Sequence, residues 1–398
     1  MIERILETKL KETLQEGFSF FLFGPRQSGK TTLVNMLLKK VPHIKYDLLV
    51  TRTKLRLEAD PTIFREEILA APEKIIFVDE IQKVPALLDE IQSLIDEHKK
   101  VFALTGSSAR KLKRKGTNLL PGRALTFKLF PFTLDESAEI LPDFSRDTLK
   151  KILKYGELPE VIKLVFGGKE KLATQLLYSY TETYLEEEIR AEAFVRQLGN
   201  FSRFLRIAGE LSGKRVSFRA LSQDIGVSHI TIGQYYQILE DTMISVRIPS
   251  FPSHSERGKT ARANKFLFFD LGIVNSLCGQ LEAQDMPSQR WGDLFEQWVG
   301  LYLLKTMYHK GIRGELFYWR DKGKEIDWVL CIGDKIIPIE VKWGETIRRK
   351  DMRTMEEFLN RFSSAKEGFF VFTGERRRKL TERITAIPWH ELRGALKL

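Results

Sequence analysis

Cysteine is nearly absent from this sequence: Cys278 and Cys331 are the two in 398 residues, far apart and without metal-ligand spacing. That excludes a disulfide framework and a zinc site built on thiolates, and it fits a reducing compartment. Long apolar runs are missing too. No stretch approaches the roughly 20 apolar residues that a spanning helix needs, so no membrane partner is expected. The opening segment, MIERILETKLKETLQEG, reads as a charged amphipathic helix without the apolar core of a secretory signal. The expected location is cytoplasmic. Internal repeats and low-complexity tracts are also lacking, so the chain is not a repeat array.

What is present is an excess of positive charge. The 64 Lys and Arg outnumber the 53 Asp and Glu, leaving a formal charge of +11. Such an excess suggests attraction to a polyanion, nucleic acid more often than an anionic membrane face. With 43% hydrophobic residues, a chain of this length has material for two or three packed domains.

Short apolar runs alternate with helical patterns in the first half, the sign of a parallel sheet wrapped by helices. Strands are expected at Phe18 to Phe23, Ile44 to Leu48, Ile75 to Val78, Val101 to Leu104 and Leu125 to Leu129. A helix is expected from Ala86 to Glu97, where Leu87, Ile91, Leu94 and Ile95 recur at helical spacing. The fold class is α/β, with four regions. Residues 1–132 read as a nucleotide-binding core, and 133–194 as a helical lid packed beside its sheet. Residues 195–263 read as a short helix, a turn at Gly226, a second helix from Ser228 and a strand, which is helix-turn-helix logic followed by a wing. They end in a hinge, SFPSHSERGKTARA. Residues 264–398 form a final α/β domain.

The first region carries GPRQSGKT, from Gly24 to Thr31, directly after the apolar strand FSFFLF and opening the helical TTLVNMLLKK. That is the context a phosphate-binding loop needs. Gly24 and Gly29 let backbone N–H groups turn inward, Pro25, Arg26, Gln27 and Ser28 complete the loop, and the new helix adds its positive end. Lys30 is expected to reach the β and γ phosphates of ATP, and the Thr31 hydroxyl, followed by Thr32, to ligate Mg²⁺. IIFVDE then puts Asp79 and Glu80 at the end of an apolar strand, where ligands gather in open parallel sheets. Asp79 suits the magnesium shell and Glu80 suits polarisation of the attacking water. VFALTGSS ends in Thr105, Ser107 and Ser108, of which Ser107 is the favoured sensor of the γ-phosphate. Arg123, in LPGRA, has two readings: an arginine finger acting between copies of a homo-oligomer, or a surface ion pair. Lys111, Lys113, Arg114 and Lys115 make a basic loop.

Near the C-terminus, KEIDWVLCIGDKIIPIEVKWGE reads as a hairpin turning at Gly333 and Asp334. Counting outward from Ile332 and Lys335 sets Asp327 opposite Glu340 and Glu325 opposite Lys342, all on one face. Opposed carboxylates repel, and a divalent cation between them reverses that sign. Lys342 is then placed to stabilise charge on a phosphate, with Glu296 on the preceding helix as a further ligand. A plain Glu325–Lys342 ion pair is the bland alternative. In the helix-turn-helix stretch, Ser228, His229, Thr231 and Gln234 are the polar contacts. No Arg or Lys there offers bidentate readout of guanine, so DNA and protein docking both stay open. Arg376 to Lys379 and Arg348 to Lys350 are basic runs suited to phosphate.

Several segments together resemble a known family. GPRQSGKTTL, FVDEIQKVPALLDEIQ, LTGSSARKL, LPGRA, GELPEV, TYLEEEI, FLFFDLGIVN, LFEQWV, EIDWVL and IEVKW are similar to the prokaryotic AAA-type ATPases that carry a restriction-endonuclease-like C-terminal domain of unknown function. The resemblance implies an ATPase core, a winged-helix region and an endonuclease-like fold, in that order, with ATP and Mg²⁺ as cofactors. It implies an ATP-hydrolysing, DNA-associated protein whose Asp327, Glu340 and Lys342 bind or cut nucleic acid. The alternative is a nucleotide-dependent protein-interaction switch on an inactive nuclease-like scaffold.

Overall fold

The computed structural model describes residues 2–107, 120–185, 198–252 and 263–396. Ser108, the basic loop of Lys111, Lys113, Arg114 and Lys115, the end of the expected lid at 186–194, and hinge positions 253–262 lie outside the described residues. By its contacts the chain divides into two compact units. One holds Met1–Pro131, Asp241–Ile244 and Tyr308–Gly311; the other holds Phe132–Glu240, Ser245–Met307 and Ile312–Leu398. Among the described residues no helix is long and apolar enough to cross a membrane.

The first unit runs α1 (Leu6–Gln15), β1 (Ser19–Phe23), α2 (Lys30–Leu37), β2 (His43–Asp47), α3 (Thr51–Ala59), α4 (Thr62–Ala70), β3 (Ile75–Asp79), α5 (Leu87–His98), β4 (Val101–Gly106) and β5 (Ala124–Lys128). Its five strands are all parallel, in the order β2-β3-β4-β1-β5. Parallel neighbours need crossover connections, which put helices on the sheet faces. Accordingly β1 and β4 are buried at every residue and read as largely apolar runs. Leu6, Leu10 and Leu14 of α1 pack with Leu33 and Val34 of α2 onto Phe20, Leu22 and Phe77. Because β4 lies between β1 and β3, the loop after β1 and the carboxyl end of β3 face each other across the tip of β4.

The second unit continues with α6 (Leu134–Ser137), α7 (Arg146–Tyr155), α8 (Pro159–Phe166), α9 (Glu170–Ser179), α10 (Leu198–Glu210), α11 (Phe218–Ile225), α12 (His229–Asp241), β6 (Ser245–Ile248), β7 (Lys265–Phe268), α13 (Leu271–Leu277) and α14 (Ser288–Lys310). The helices expected as a lid are grouped by their contacts with this unit. The reason is α13: Asn275 donates to the carbonyls of Leu153 and Lys154 at 2.9 and 2.8 Å, and Asp270 accepts from Glu157 N at 2.7 Å. The helix–turn–helix–strand reading holds, with Gly226 in the left-handed region at φ 80°. β7 pairs antiparallel with β6.

The chain ends in β8 (Glu315–Asp321), β9 (Lys324–Ile332), β10 (Lys335–Lys342), α15 (Arg349–Arg361), β11 (Gly368–Phe372), β12 (Arg378–Lys379) and β13 (Ile384–Pro388). These strands form a mixed six-stranded sheet, β12-β13-β11-β10-β9-β8. Met355, Phe358 and Leu359 of α15 fill one of its faces with Val329, Phe370 and Phe372.

Candidate active sites

The loop between β1 and α2 is shaped by two constraints. A Cβ at Gly24 would lie 2.1 Å from the Leu129 carbonyl oxygen, so only glycine fits there. Gln27 and Gly29 take positive φ of 60° and 94°, the kind of backbone that turns successive N–H groups to one side as an anion site. Lys30 is buried, and its Nζ donates to the carbonyls of Gly24 and Pro25 at 2.9 and 3.0 Å. Its ammonium thus lies against the loop that its stem leaves. Arg26 is half-buried, and Gln27 and Thr32 are exposed.

Arg4 braces this loop. Its guanidinium, buried, donates to Ser28 O at 2.9 Å and Phe130 O at 2.7 Å, tying the loop to the exit of β5. Phe130 N in turn donates to His309 Nε2 at 3.1 Å. Nothing in the sequence flagged Arg4, because the partners are backbone atoms 24 and 126 residues away.

Across the tip of β4, Asp79 gathers the second half of the site. Thr31 Oγ1 donates to Asp79 Oδ1 at 2.9 Å, and Thr105 Oγ1 donates to the same oxygen. Burial pushes the Asp79 carboxyl above the ordinary range, and these two hydroxyl hydrogen bonds oppose that shift. A hydroxyl and a carboxylate oxygen side by side are hard-cation donors, so the residues present fit Mg²⁺. Glu80 follows at φ 60°, ψ 48°, left-handed backbone that an unbranched non-glycine residue adopts only where its surroundings hold it. Its N–H donates to Thr105 Oγ1 at 3.1 Å. Gln82 Nε2 donates to Glu80 Oε2 and, at 3.2 Å, to Ser107 Oγ. Thr105 rather than Ser107 is therefore the hydroxyl on Asp79, and Ser107 reaches Glu80 only through Gln82. Strand order could have pointed to Thr105; no sequence signal singled out Gln82.

Arg123 sits at the surface of its own unit, with Nε 2.7 Å from Asp96 Oδ1. The pair raises the arginine and lowers the aspartate from their ordinary values.

In the second unit the hairpin register is the one counted from the turn: Ile332 pairs with Lys335 and Trp328 with Ile339. The regular ladder ends there, one pair short of Asp327 and Glu340. Beyond it the carboxylates accept the backbone bonds. Val341 N donates to Asp327 Oδ2 at 2.8 Å, and Asp327 N to Glu340 Oε2 at 3.4 Å. Lys342 Nζ donates to Glu340 Oε1 at 2.9 Å instead of meeting Glu325. Glu325 and Glu296 are both held by Lys265, which the sequence reading did not single out, at 3.0 and 2.9 Å.

The charges press on one another. Burial, then the nearby Asp327 charge, pushes Glu296 up to about 7. Burial, then Glu340, does the same to Asp327, also to about 7, and burial raises Glu340. For Lys265 and Lys342, burial favours the neutral amine but the surrounding carboxylates win and raise both. Among the described residues no group of three or more His, Cys, Asp and Glu side chains is arranged to hold a metal ion. Asp327 and Glu340 come together as a pair of oxygen donors, while Glu296 is turned to a lysine.

On α12, Ser228 is used as the helix cap, accepting from Thr231 N at 3.1 Å. His229 and Gln234 are exposed. Arg376 through Lys379 are exposed, with Arg377 paired to Glu391 and Arg378 donating to Glu345 O.

Three family models match successive segments of the chain. Residues 18–138 match the model of an AAA domain, and residues 146–284 and 291–392 match two domains of unknown function, DUF8612 and DUF4143. An uncharacterized protein of Mycobacterium tuberculosis is 23% identical over 384 residues, covering 96% of this chain and 82% of that protein. One of Haemophilus influenzae is 23% identical over 365 residues, covering 86% of each. Among solved structures, the Walker-type ATPase PABY2304 of Pyrococcus abyssi has a TM-score of 0.49 at 18% identity, covering 68% of this chain and 94% of that one. A Pif1 helicase from Candida albicans has a TM-score of 0.24 at 12% identity, covering 38% and 47%.

Proposed function

We propose that the AAA-type P-loop domain within residues 18–138 hydrolyses ATP with Mg²⁺, and that the second unit puts this turnover to use on DNA. The observation that carries the first half is the arrangement across β4: Thr31 and Asp79 share a hydrogen bond, and Glu80 is held beside them by Gln82. In this reading the loop N–H groups and the α2 terminus bind the phosphates, and the Lys30 ammonium exchanges its two carbonyl partners for phosphate oxygens. Bound Mg²⁺ would neutralise charge on the β and γ phosphates beside Thr31 and Asp79. Glu80 then orients a water and accepts its proton, a role that needs a carboxylate within hydrogen-bond reach. Arg123 is a candidate for completing the site of a neighbouring copy.

DNA association is supported by the formal charge of +11 and by α11, α12 and the β6–β7 hairpin, which have the order of a winged helix. The nuclease-like reading of the C-terminal sheet is supported by the opposition of Asp327 and Glu340 with Lys342 alongside. There the pair would hold one divalent cation, and Lys342 would face the phosphate.

The test is ATP turnover with and without DNA, together with Mg²⁺- or Mn²⁺-dependent nicking. Lys30→Ala should abolish nucleotide binding. Glu80→Gln should keep it and lower turnover by about 10²- to 10⁴-fold. DNA should stimulate the wild type, and its binding should weaken steeply with salt. Normal turnover by Glu80→Gln removes the water-activating role. Turnover indifferent to DNA favours a protein-interaction switch, and absence of nicking with every metal ends the cleavage reading.

A further inference from the structure

The carboxylate cluster of the second unit holds one more cation than its hairpin motif accounts for. Lys265 opens β7, a strand buried at all its residues. Its Nζ is 2.9 Å from Glu296 Oε1 and 3.0 Å from Glu325 Oε1, and the residue is 3% exposed. The rings of Tyr318 and Trp328 stand 5.2 and 5.3 Å from the same nitrogen, distances at which an aromatic face attracts an ammonium. Trp328 is itself fixed, its indole N–H donating to Glu296 O at 3.0 Å. Two carboxylates and two rings thus enclose one ammonium. Lys342 Nζ lies 2.9 Å from Glu340 Oε1, while the Asp327 carboxylate accepts from Val341 N.

We infer that Lys265 is the resident cation of this cluster: it occupies the half formed by Glu296 and Glu325 and excludes a divalent metal ion from it. The inference rests on the cluster's being a cation site, as in the proposal above. Two half-buried carboxylates facing one gap repel each other unless a positive charge lies between them. A lysine whose stem is fixed in a buried strand supplies it without being recruited from solution. A divalent ion entering this half would leave the buried ammonium without its two carboxylate partners, and breaking a buried pair in this way is costly. Lys265 also explains why Glu296, expected as a third ligand, does not join Asp327 and Glu340. Since β7 is paired to β6, the same ammonium ties that hairpin to the carboxylates.

The experiment measures Mn²⁺ binding to the full-length, nucleotide-free chain by the loss of free Mn²⁺ signal in electron paramagnetic resonance. Lys265→Met should bind one more Mn²⁺ per chain than the wild type. The extra ion should vanish in Lys265→Met with Glu296→Gln. The single variant should also melt below the wild type in EDTA and recover more of its midpoint when Mn²⁺ is added, as a ligand of the folded state requires. Equal stoichiometry in wild type and a folded Lys265→Met overturns the inference. If the methionine variant does not fold, Lys265→Gln carries the same expectation. Wild-type crystals soaked in Mn²⁺ decide independently: an anomalous peak between Glu296 and Glu325 overturns the inference, and a map without one there supports it. Asp327→Asn tests the neighbouring pair by itself, so failure of the nuclease-like reading is read apart from failure of this one.

Discussion

At the scale of single residues, the nucleotide site is organised less by its charged groups than by the neutral ones between them. Asp79 and Glu80 are adjacent in sequence, yet one is buried beneath Thr31 and Thr105 and the other is turned by a left-handed backbone toward Gln82. Gln82 Nε2 is shared between Glu80 Oε2 and Ser107 Oγ, so it sets where the carboxylate points. It acts through Glu80 and is a positioning residue. Removing a hydrogen bond to a charged group costs about 1.5–3 kcal/mol. Gln82→Ala is therefore expected to lower kcat by about tenfold or more, because the Glu80 carboxylate loses the side-chain hydrogen bond that orients it. The KM for ATP should stay near that of the wild type, since Lys30 and the loop are untouched. A rise in KM with kcat preserved would show that Gln82 acts on nucleotide binding. Gln82→Glu provides the contrast: it keeps the length but sets a second carboxylate against Glu80, and should be worse than alanine.

At the scale of elements, the second unit is held together at the amino end of α13. Asp270 caps that helix by accepting from Gly272 N at 2.9 Å, and accepts from Glu157 N at 2.7 Å with its other oxygen. A Cβ on Gly156 would lie 2.0 Å from Asp270 Oδ1, so the chain can pass this close only as glycine. Glu157 itself is paired with the buried Lys305 at 2.8 Å. GELPEV and FLFFDLGIVN, which in the sequence are two separate stretches, are thus the two sides of one contact. Burial raises both Asp270 and Glu157 above the ordinary carboxylate range, with Lys305 opposing. The sign follows: acids whose pKa is higher folded than unfolded bind more protons in the native state. Their contribution is fully present below the unfolded pKa and is lost as pH rises through the folded one. Asp270→Asn cannot titrate. Its thermal midpoint, measured from about pH 4 to about pH 8, should fall less steeply than that of the wild type, even though its absolute value is lower. Parallel profiles would mean that Asp270 ionises without cost where it is.

At the scale of the whole molecule, what was legible in the sequence is what repeats or turns. The central strands β1, β3 and β4 of the first sheet were readable because each is a largely apolar run buried on both faces. The β9–β10 register was readable because Gly333, at φ 55°, fixes the turn and a strand has period two. The limit of that counting is physical: it assumes that the ladder continues, and at Asp327 and Glu340 side chains take the backbone bonds. Lys265 and Arg4 were out of reach because their partners are brought by topology, 31 and 126 residues away. Likewise α7 and α9 pack on α13, a choice of partner that helical periodicity does not encode. Assembly is the remaining question at this scale, and it turns on Arg123. Its guanidinium is paired with Asp96 on the surface of its own unit, an exposed contact of the kind that is weak and screened by salt. Asp96→Ala should therefore leave turnover unchanged or raise it. Arg123→Ala and Lys30→Ala should each be inactive alone, the first for want of a finger and the second for want of nucleotide. When the two variants are mixed, an Arg123→Ala site that faces a Lys30→Ala neighbour has both parts, and turnover should reappear with a maximum at an intermediate ratio. Turnover that stays at the sum of the separate variants at every ratio would assign Arg123 to the Asp96 pair and nothing more.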